Sequence, residues 1–322
     1  MGRTDRAAIR RGRRRRLTVG RRHRCSRPVR PPPGRPLLTV AAAPVCPLHS
    51  LEGEWRGERR QNTLPPPSAR VTTFAMSTSY NRIAYEALEV CNGVTLATVK
   101  DAVARAGLAP GARAADVGTG NATVAIRLAR TFGFATTAIE YDPGMAELAA
   151  GRIAASGAAV ELVIGSAADV LADLPPLDLI TALGTTNITG EGRPSPEAGF
   201  AFLKTRLTPG GYLLWGDLVW IAEPPAPLRQ IAEATNQYTD NTGWKAAAET
   251  AGFEVVWSEI SPQAVFDAYA AAADSAARHW LATNADAPEA ASVQAVADRV
   301  KMVLEFGRPF IGFGLYLLKA PA

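Results

Sequence analysis

The sequence predicts an α/β fold, with helices on both faces of a mostly parallel β-sheet. Short apolar runs alternate with stretches of helical period through much of the chain. These runs are apolar throughout, which is typical of strands that are buried on both faces. Gly and Pro mark the boundaries, as at Pro110-Gly111 and Pro209-Gly210-Gly211. Strands that alternate with helices in this way form βαβ units and a parallel sheet.

The elements follow one another in a regular order after Met76. Two amphipathic helices come first, and five strands follow with a helix after each of the first four. The predicted strands are 113–117, 134–140, 160–164, 177–183 and 212–217, and the helices are 79–89, 95–106, 122–132, 143–155, 168–174 and 195–206. The order then changes to helices at 224–236 and 243–251, a strand at 253–260, long helices at 261–283 and 287–306, and a last strand at 309–319.

Residues 1–75 differ in composition from the rest of the chain. They hold 18 Arg, no Lys and 4 acidic residues, a net charge of +14, which leaves −9 for residues 76–322 and gives +5 in all. This Arg/Pro-rich tail shows no periodic apolar pattern and is predicted to be disordered. It is explained best as translated upstream sequence with the native start at Met76. A tail that binds nucleic acid or acidic surfaces, and a targeting segment, are the alternatives.

Cysteine content, the length of apolar runs and charge indicate which class of protein this is. The three cysteines (Cys25, Cys46 and Cys91) show no metal-binding spacing, and only Cys91 lies in the predicted fold, which fits a reducing cytoplasm. No apolar run reaches the length of a membrane span. We therefore expect a cytoplasmic protein, a monomer or homodimer, with no membrane partner and no metal site. The acidic body disfavours nucleic acid as a partner.

Residues Ala114–Ala122 contain the main binding motif. Apolar residues lead to Asp116, Gly118 and Gly120 follow, and a helical pattern begins at once. This pattern predicts a strand, a tight turn and a helix N-terminus whose free N–H groups suit a polar ligand. A dinucleotide site would need a small residue in place of Thr123, and Asp116 would repel a diphosphate. A ligand with an ammonium and a sulfonium group tolerates that carboxylate.

On these residues the chain resembles the class I S-adenosylmethionine-dependent methyltransferases. Their first motif has an acid and three glycines at this spacing, with Ala122 here in the third glycine position. The resemblance covers about residues 78–320 and is strongest over 112–220. It implies S-adenosyl-L-methionine as cofactor and a Rossmann-like seven-stranded sheet, whose last strand is antiparallel between the fifth and sixth. Segments 222–251 and 261–308 would then form a helical cap.

The resemblance also implies where the cofactor is held. Glu140 ends the second strand, about 20 residues after the glycines, where a carboxylate can accept both ribose hydroxyls. Tyr141 would lie against adenine, and Asp142 is predicted to cap the next helix. Ser166 stands where the family often has Asp, so its side-chain role stays open, while the Ala167 N–H can meet a ring nitrogen.

The methionine end of the cofactor and the acceptor are assigned to other strand ends. Gly184 is expected beside the methionine part, and Tyr80 either touches the methionine carboxylate or packs in the core. Thr185 and Asn187 are expected to face the acceptor.

The candidate catalytic residues are Asp217 and His279. Asp217 is expected in the cleft at the tip of the fifth strand, with Trp220 beside the acceptor. His279 is the single histidine of residues 76–322 and is a candidate general base. The alternative for His279 is a solvated or helix-capping role.

The function that these motifs and the resemblance imply is methyl transfer to a small organic acceptor by in-line displacement. Two or three aromatic side chains of the cap would face the acceptor, and the others would attach the cap to the sheet. A nicotinamide oxidoreductase is disfavoured by Thr123 and by the lack of a Tyr-x-x-x-Lys pair. A non-catalytic sensor or scaffold with the same nucleoside pocket, and an RNA methyltransferase recruited by the tail, are the remaining alternatives.

Overall fold

The computed structural model describes residues 78–190, 192–234 and 237–322. The tail predicted for 1–75 lies outside these residues. Within them, none of the helices is long and apolar enough to cross a membrane.

In the described residues, eight strands form one sheet. Its strands are β1 (Arg113–Val117), β2 (Ala135–Glu140), β3 (Val160–Ile164), β4 (Leu177–Leu183), β5 (Leu207–Trp220), β6 (Thr239–Asp240), β7 (Glu254–Ile260) and β8 (Ile311–Lys319). Their order is β3-β2-β1-β4-β5-β8-β7, with β6 paired to the end of β5. Strands β1 to β5 are parallel, and β8 is antiparallel to both β5 and β7. The predicted Rossmann-like seven-stranded sheet is confirmed, including the antiparallel strand between the fifth and sixth.

Ten helices surround the sheet in the described residues. They are α1 (Tyr80–Glu86), α2 (Leu96–Ala104), α3 (Thr123–Phe132), α4 (Pro143–Ser156), α5 (Ala167–Asp173), α6 (Pro196–Lys204), α7 (Ala226–Ala232), α8 (Asn241–Thr250), α9 (Gln263–Thr283) and α10 (Ala290–Gly307). Asp142 caps α4 as predicted, because its Oδ1 accepts from the N–H groups of Gly144 (2.7 Å) and Met145 (3.0 Å).

Each face of the sheet has its own core, because successive side chains of a strand point to opposite faces. Ala115 and Val117 belong to the core beneath α5, α6 and α8. Ala114 belongs to the core beneath α2, α3 and α7. Trp244 of α8 is 1% exposed in the first core. The prediction that 222–251 forms cap is therefore wrong for α8, which covers the sheet face.

A separate layer consists of α1, α9 and α10, which we call the cap. Its small core contains Tyr80 and Ala84 of α1, Ala273 and Ala277 of α9, and Ala297 of α10. The alanines allow close approach of the three helices. The predicted cap segment 261–308 therefore corresponds to α9 and α10, and α1 completes it.

Candidate active site

The glycine turn between β1 and α3 needs left-handed backbone at three positions. The φ angles are +66° at Gly118, +58° at Gly120 and +60° at Ala122. A Cβ on Gly118 would lie 2.7 Å from the Oγ1 of Thr185, so this turn packs directly against the loop after β4. Ala122 adopts a conformation that favours glycine, which explains why a glycine at this position is common in the resembled family.

Asp116 lies beneath this turn and is 3% exposed. Its Oδ2 accepts from the Thr119 hydroxyl and its Oδ1 from the Thr181 hydroxyl, both at 2.6 Å. Burial raises the pKa of Asp116, and these two hydrogen bonds oppose the rise. Asp116 therefore ties the turn to β4 and does not face the space above it. Asp116 does not line the cavity above the turn, and its predicted part in cofactor binding stays a prediction.

Glu140 ends β2, and backbone N–H groups hold its carboxylate. Its Oε2 accepts from Gly120 (2.9 Å), and its Oε1 accepts from Tyr141 (2.9 Å) and Asp142 (3.0 Å). Burial raises the pKa of Glu140, and these three N–H groups oppose the rise. Carboxylate oxygens have further lone pairs, so Glu140 is fixed in place and can still accept from a ligand with paired hydroxyls.

A cavity of about 360 Å³ opens above the turn and beside Glu140. We call it the central cavity. The predicted site residues that line it are Gly118, Gly120, Glu140, Tyr141, Ser166, Ala167, Gly184, Thr185 and Asn187. The lining residues that no prediction placed at the site include Asn81, Cys91, Asn92 and Met145. Most of the unpredicted residues belong to α1 or to the connection after it, which local pattern cannot place over a distant strand.

Tyr141 and Ser166 line the cavity at the ends of β2 and β3. The Tyr141 ring is 76% exposed at the cavity edge. Ser166 caps α5, since its Oγ accepts from the N–H of Asp169 (3.2 Å) and donates to the Asp169 carboxylate (2.6 Å). The Ser166 hydroxyl is thus engaged within the chain, which favours Ala167 backbone over this side chain as the ligand contact.

The loop after β4 forms the opposite wall. Gly184 has a φ of +65°, and a Cβ there would lie 2.3 Å from the Asn92 Oδ1. Asn92 Nδ2 donates to the carbonyl of Leu183 at 2.9 Å, and the Thr185 hydroxyl donates to the carbonyl of Val117 at 2.7 Å. These bonds fix the loop at the distance from the glycine turn that keeps the cavity open.

Two side chains fasten the end of α1 over the cavity. Asn121, 2% exposed in the glycine turn, donates through Nδ2 to the carbonyls of Tyr85 (3.1 Å) and Leu88 (2.9 Å). Arg152 of α4 donates to the carbonyl of Glu86 at 2.7 Å and also to that of Leu88. This role of Asn121 could not be predicted from residue type, because Asn is also common in tight turns.

Besides Asp116, four predicted site residues do not line the central cavity. Tyr80 is 7% exposed within the cap core. Asp217 lies inside β5, since pairing with β8 extends that strand to Trp220, and it is 3% exposed. The prediction of Asp217 at a strand tip is therefore wrong. Its Oδ1 accepts from the N–H of Leu218 at 2.8 Å.

Trp220 and His279 are also placed elsewhere. Trp220 is 6% exposed in the core beneath α7, with the Arg229 guanidinium 5.2 Å from its ring centre. His279 is on the exposed side of α9 and lines a different groove, between α1, α4 and α9, together with Trp280. Neither side chain lines the central cavity, and their predicted roles toward the acceptor stay predictions.

The aromatic residues expected in the cap also have mostly structural positions. Trp244 and Phe266 are buried in the two sheet cores, while Phe306 is 55% exposed. Among these cap aromatics, Tyr269 of α9 comes close to the central cavity through its hydrogen bond with Tyr85.

Comparisons with known proteins agree with this geometry. A family model described as a methyltransferase domain matches residues 114–211, which span the glycine turn, Glu140 and the loop after β4. A search of curated proteins finds no match. A methyltransferase from Thiobacillus denitrificans, crystallised with S-adenosyl-L-homocysteine, is 26% identical, with a TM-score of 0.65 over 74% of this chain and 97% of its own.

A second methyltransferase, from Geobacter sulfurreducens and also crystallised with S-adenosyl-L-homocysteine, is 25% identical. Its TM-score is 0.66, over 76% of this chain and 98% of its own. Both are described as dependent on S-adenosylmethionine, and both match nearly their whole length. The sheet order, the glycine turn and the methyltransferase-domain match over residues 114–211 are consistent with a class I S-adenosylmethionine-dependent methyltransferase.

Proposed function

We propose that this protein transfers a methyl group from S-adenosyl-L-methionine to a small organic acceptor. The observation that carries the proposal is the central cavity. It has a fixed carboxylate at one end, a tight polar loop at the other, and the cap helix α1 above. Its volume lies within the range of small-molecule sites, about 300–1,000 Å³.

The residues present fit this cofactor. Glu140 would accept from the two ribose hydroxyls, because backbone N–H groups hold its carboxylate at the β2 end. Tyr141 and the Ala167 N–H would hold the adenine ring. Gly118 and Gly120 let the backbone approach the methionine part closely, since neither position has a side chain.

The bound cofactor supplies a methyl group that its sulfonium already activates. The protein therefore needs to orient the acceptor in line with that methyl group and to exclude water. Thr185 and Asn187 lie on the wall after β4 and would orient the acceptor. The hydroxyl of Thr185 is held by Val117, so its oxygen presents its remaining lone pair.

The titratable groups of the central cavity favour an acceptor that needs no general base. Burial raises the pKa of the Cys91 thiol to about 12 and also raises the pKa of the Tyr85 phenol. Glu140 and Asp142 are held by backbone N–H groups. We therefore infer an acceptor that reaches the cavity with a free lone pair, such as a carboxylate, a thiolate or a neutral amine.

The proposal is tested by titrating the full chain with S-adenosyl-L-homocysteine in a calorimeter. We expect one site per chain, and we expect Glu140→Ala to weaken binding by about ten- to a hundredfold, the value of charged hydrogen bonds. Glu147→Ala is the matched control, since Glu147 is an exposed carboxylate on α4 outside this cavity. Absence of binding by the wild type would refute the proposal.

A second experiment tests turnover. The enzyme is incubated with S-adenosyl-L-methionine and with sets of small carboxylates, thiols, amines and phenols, and formation of S-adenosyl-L-homocysteine is measured. We expect turnover with a member of the first three sets. Binding without turnover on any set would indicate a sensor of the same fold, and turnover on RNA alone would overturn the small-acceptor proposal.

A further inference from the structure

A second cavity, of about 350 Å³, lies between α2 and α3. We call it the arginine cavity. Its lining consists of Leu96 of α2 and, from α3, of Thr123, Ile126, Arg127, Arg130 and Thr131. It shares no lining residue with the central cavity, and no carboxylate is among its described lining residues. Its volume lies within the range of small-molecule sites, about 300–1,000 Å³.

The two arginines of this cavity differ from most cations of the domain, because they have no partner. The lysines and arginines of residues 76–322 are outnumbered by carboxylates, and most of them have an ion pair, a hydrogen bond or an aromatic ring as partner. Within the part of the chain that the structure describes, the guanidinium groups of Arg127 and Arg130 have none, and both line the same cavity.

Helix α3 accounts for only one of these two charges. Arg130 is in the last turn of α3, where a cation is favourable. Arg127 is in the middle of the helix, is half-buried, and stands three residues before Arg130, a spacing at which like charges repel. An anion bound between the two guanidinium groups would remove this repulsion.

Two hydroxyl groups complete the polar lining. The Oγ1 of Thr123 accepts a hydrogen bond from the Arg152 guanidinium at 3.0 Å, and its own proton can still be donated to a ligand. Arg152 thus adds a third positive charge, one hydrogen bond away from the cavity. The hydroxyl of Thr131, four residues after Arg127, is a further donor. The polar groups of the cavity are therefore cations and hydrogen-bond donors.

This set of groups suits the dianion of a phosphate monoester. Guanidinium groups bind phosphate oxygens through paired N–H donors, and the two threonine hydroxyls can donate to the remaining oxygens. The two charges of the phosphate group equal those of Arg127 and Arg130. A carboxylate has one charge and two oxygens, so it would use fewer of these donors. The apolar side chains of Leu96 and Ile126 would contact the organic part of the ester.

We propose that the arginine cavity binds the phosphate group of a small phosphate monoester, with Arg127 and Arg130 in direct contact with it. This site is separate from the cofactor site, and the proposal does not rest on the proposed function.

The test is calorimetry of the full chain with phenyl phosphate at about pH 8, where the phosphate group is a dianion. The variants are Arg127→Gln, Arg130→Gln and the two together. Gln has a helix propensity close to that of Arg, so α3 should stay folded. The arginines of residues 1–75 are present in every protein, so any binding that they cause is the same in all titrations.

Arg299→Gln is the matched control. Arg299 is an exposed arginine on α10 that lines neither cavity and has no partner among the described residues. Its replacement removes the same charge as each of the other two substitutions. A loss that is confined to the arginines of the cavity therefore separates a defined site from general attraction by positive charge.

We expect Arg127→Gln to weaken phenyl phosphate binding by about tenfold, the value of a hydrogen bond to a charged group. Arg130→Gln, at a more exposed position, should weaken it by about two- to fivefold. The double variant should lack the site that the wild type shows. Arg127→Lys should lie between the wild type and Arg127→Gln, because Lys keeps the charge but not the paired donors. Arg299→Gln should bind as the wild type does.

Two further ligands separate a phosphate monoester from other anions. Benzoate and methyl phenyl phosphate each carry one negative charge, and each should bind about fivefold more weakly than phenyl phosphate, or weaker still. Equal binding of the diester would indicate the phosphate of a nucleic acid or a lipid and would overturn the monoester assignment. Equal binding of all three ligands, or an equal loss in Arg299→Gln, would show only attraction to positive charge and would also overturn it.

A last titration separates this proposal from the proposed function. Saturating S-adenosyl-L-homocysteine should leave the affinity for phenyl phosphate unchanged, because the two cavities share no lining residue. Binding that disappears in its presence would place the probe in the central cavity and would overturn the proposal. A wild type that binds phenyl phosphate no better than the double variant would refute the arginine cavity as a site and leave the proposed function standing.

Discussion

At the residue scale, two independent constraints require glycine at position 118. Its φ of +66° disfavours a side chain, and a Cβ would also meet the Thr185 hydroxyl. Gly107 has a similar φ of +63° with no atom within 4 Å of a Cβ. A side chain at Gly107 would lose stability only through backbone conformation, by about 1–2 kcal/mol. A side chain at Gly118 would lose stability through the contact with Thr185 as well.

We predict that Gly118→Ala abolishes binding of S-adenosyl-L-homocysteine and lowers the melting temperature more than Gly107→Ala does. Gly107→Ala should lower stability by about 1–2 kcal/mol and leave binding unchanged. Thermal unfolding and calorimetry measure the two effects. Equal melting temperatures for the two variants would show that the contact with Thr185 carries no cost.

Ionisation of the Cys91 thiol should make the free energy of unfolding depend on pH. Its usual pKa is 9.0, and burial raises it to about 12 in the folded protein. The unfolded thiol therefore loses its proton near pH 9 while the folded thiol keeps it, so stability falls as the pH rises from about 9 to 12. The loss is at most about 1.4 kcal/mol per pH unit.

We expect urea unfolding curves at pH 8, 9, 10 and 11 to show a steeper loss of unfolding free energy for the wild type than for Cys91→Ser. Serine does not ionise in this range, and Cys25 and Cys46 are present in both proteins. The two proteins should differ least at pH 8. Parallel curves would mean that the thiol is not shielded from water as the structure indicates.

Residue type alone does not distinguish residues of the functional site from residues of the core. Trp220 and Asp217 follow an apolar strand, as site residues do, but pairing of β5 with β8 places both inside the sheet. Glu140, by contrast, was recognisable because its distance from the glycines is set by one βαβ unit. The prediction succeeded where local spacing determines position and failed where a distant strand does.

At the scale of elements, the buried amide of Asn121 and the guanidinium of Arg152 together hold the connection between α1 and α2. Asn121 bonds the carbonyls of Tyr85 and Leu88, and without it both would lose a partner. Each lost bond costs about 1 kcal/mol. Since Tyr85 and Asn92 on this segment line the central cavity, its order and ligand binding should change together.

We predict that Asn121→Ala speeds hydrogen exchange in residues 79–92 and weakens S-adenosyl-L-homocysteine binding. Hydrogen exchange with mass spectrometry measures the first effect and calorimetry the second. Asn284→Ala is the control, because Asn284 also bonds a backbone carbonyl, that of Trp280 in α9, but far from this cavity. Similar exchange at 79–92 in both variants would contradict the role of Asn121.

Element ends were predicted well where turn residues mark them. The first four strands match the prediction to within a residue, and Asp142-Pro143 marks the start of α4. Two elements differ because their bounds depend on partners. Strand β5 runs from Leu207 to Trp220 since β4 and β8 pair along it, and β6 is a two-residue strand that no period can reveal.

At the scale of the whole molecule, charge divides the chain into two parts. Residues 1–75 carry +14 and residues 76–322 carry −9, which sum to +5. The central cavity and every bond described around it belong to the second part. A chain that starts at Met76 should therefore bind the cofactor product as the full chain does.

We predict equal affinities of the full chain and the Met76-start chain for S-adenosyl-L-homocysteine. Binding to a labelled RNA, measured by anisotropy at low and high salt, should be confined to the full chain and should weaken with salt. Calorimetry gives the first comparison. Lost ligand binding, or RNA binding retained by the shortened chain, would contradict this division.

The sheet could be predicted as a whole because βαβ alternation leaves few topologies. The cap side of the cavity could not, since the meeting of Tyr85 with Tyr269 depends on the packing of α1 against α9 across more than half of the domain. The pattern of an alanine-rich helix predicts which of its faces packs, but it does not predict which helix it packs against. The end of the site at the glycine turn and Glu140 can thus be predicted from the sequence. The end beneath the cap cannot.

The place where α9 and α10 leave the sheet has an evolutionary consequence. The chain leaves the sheet after Ile260 and returns at Ile311, and the N–H of Ser261 donates to the carbonyl of Phe313 at 2.8 Å. Both helices thus form an insertion into what would otherwise be a β-hairpin of β7 and β8. Such an insertion can be lengthened, shortened or exchanged between relatives while the strands keep their pairing. Among the described residues, none that lines the central cavity lies on α9 or α10, so this module can change while the cavity lining stays the same.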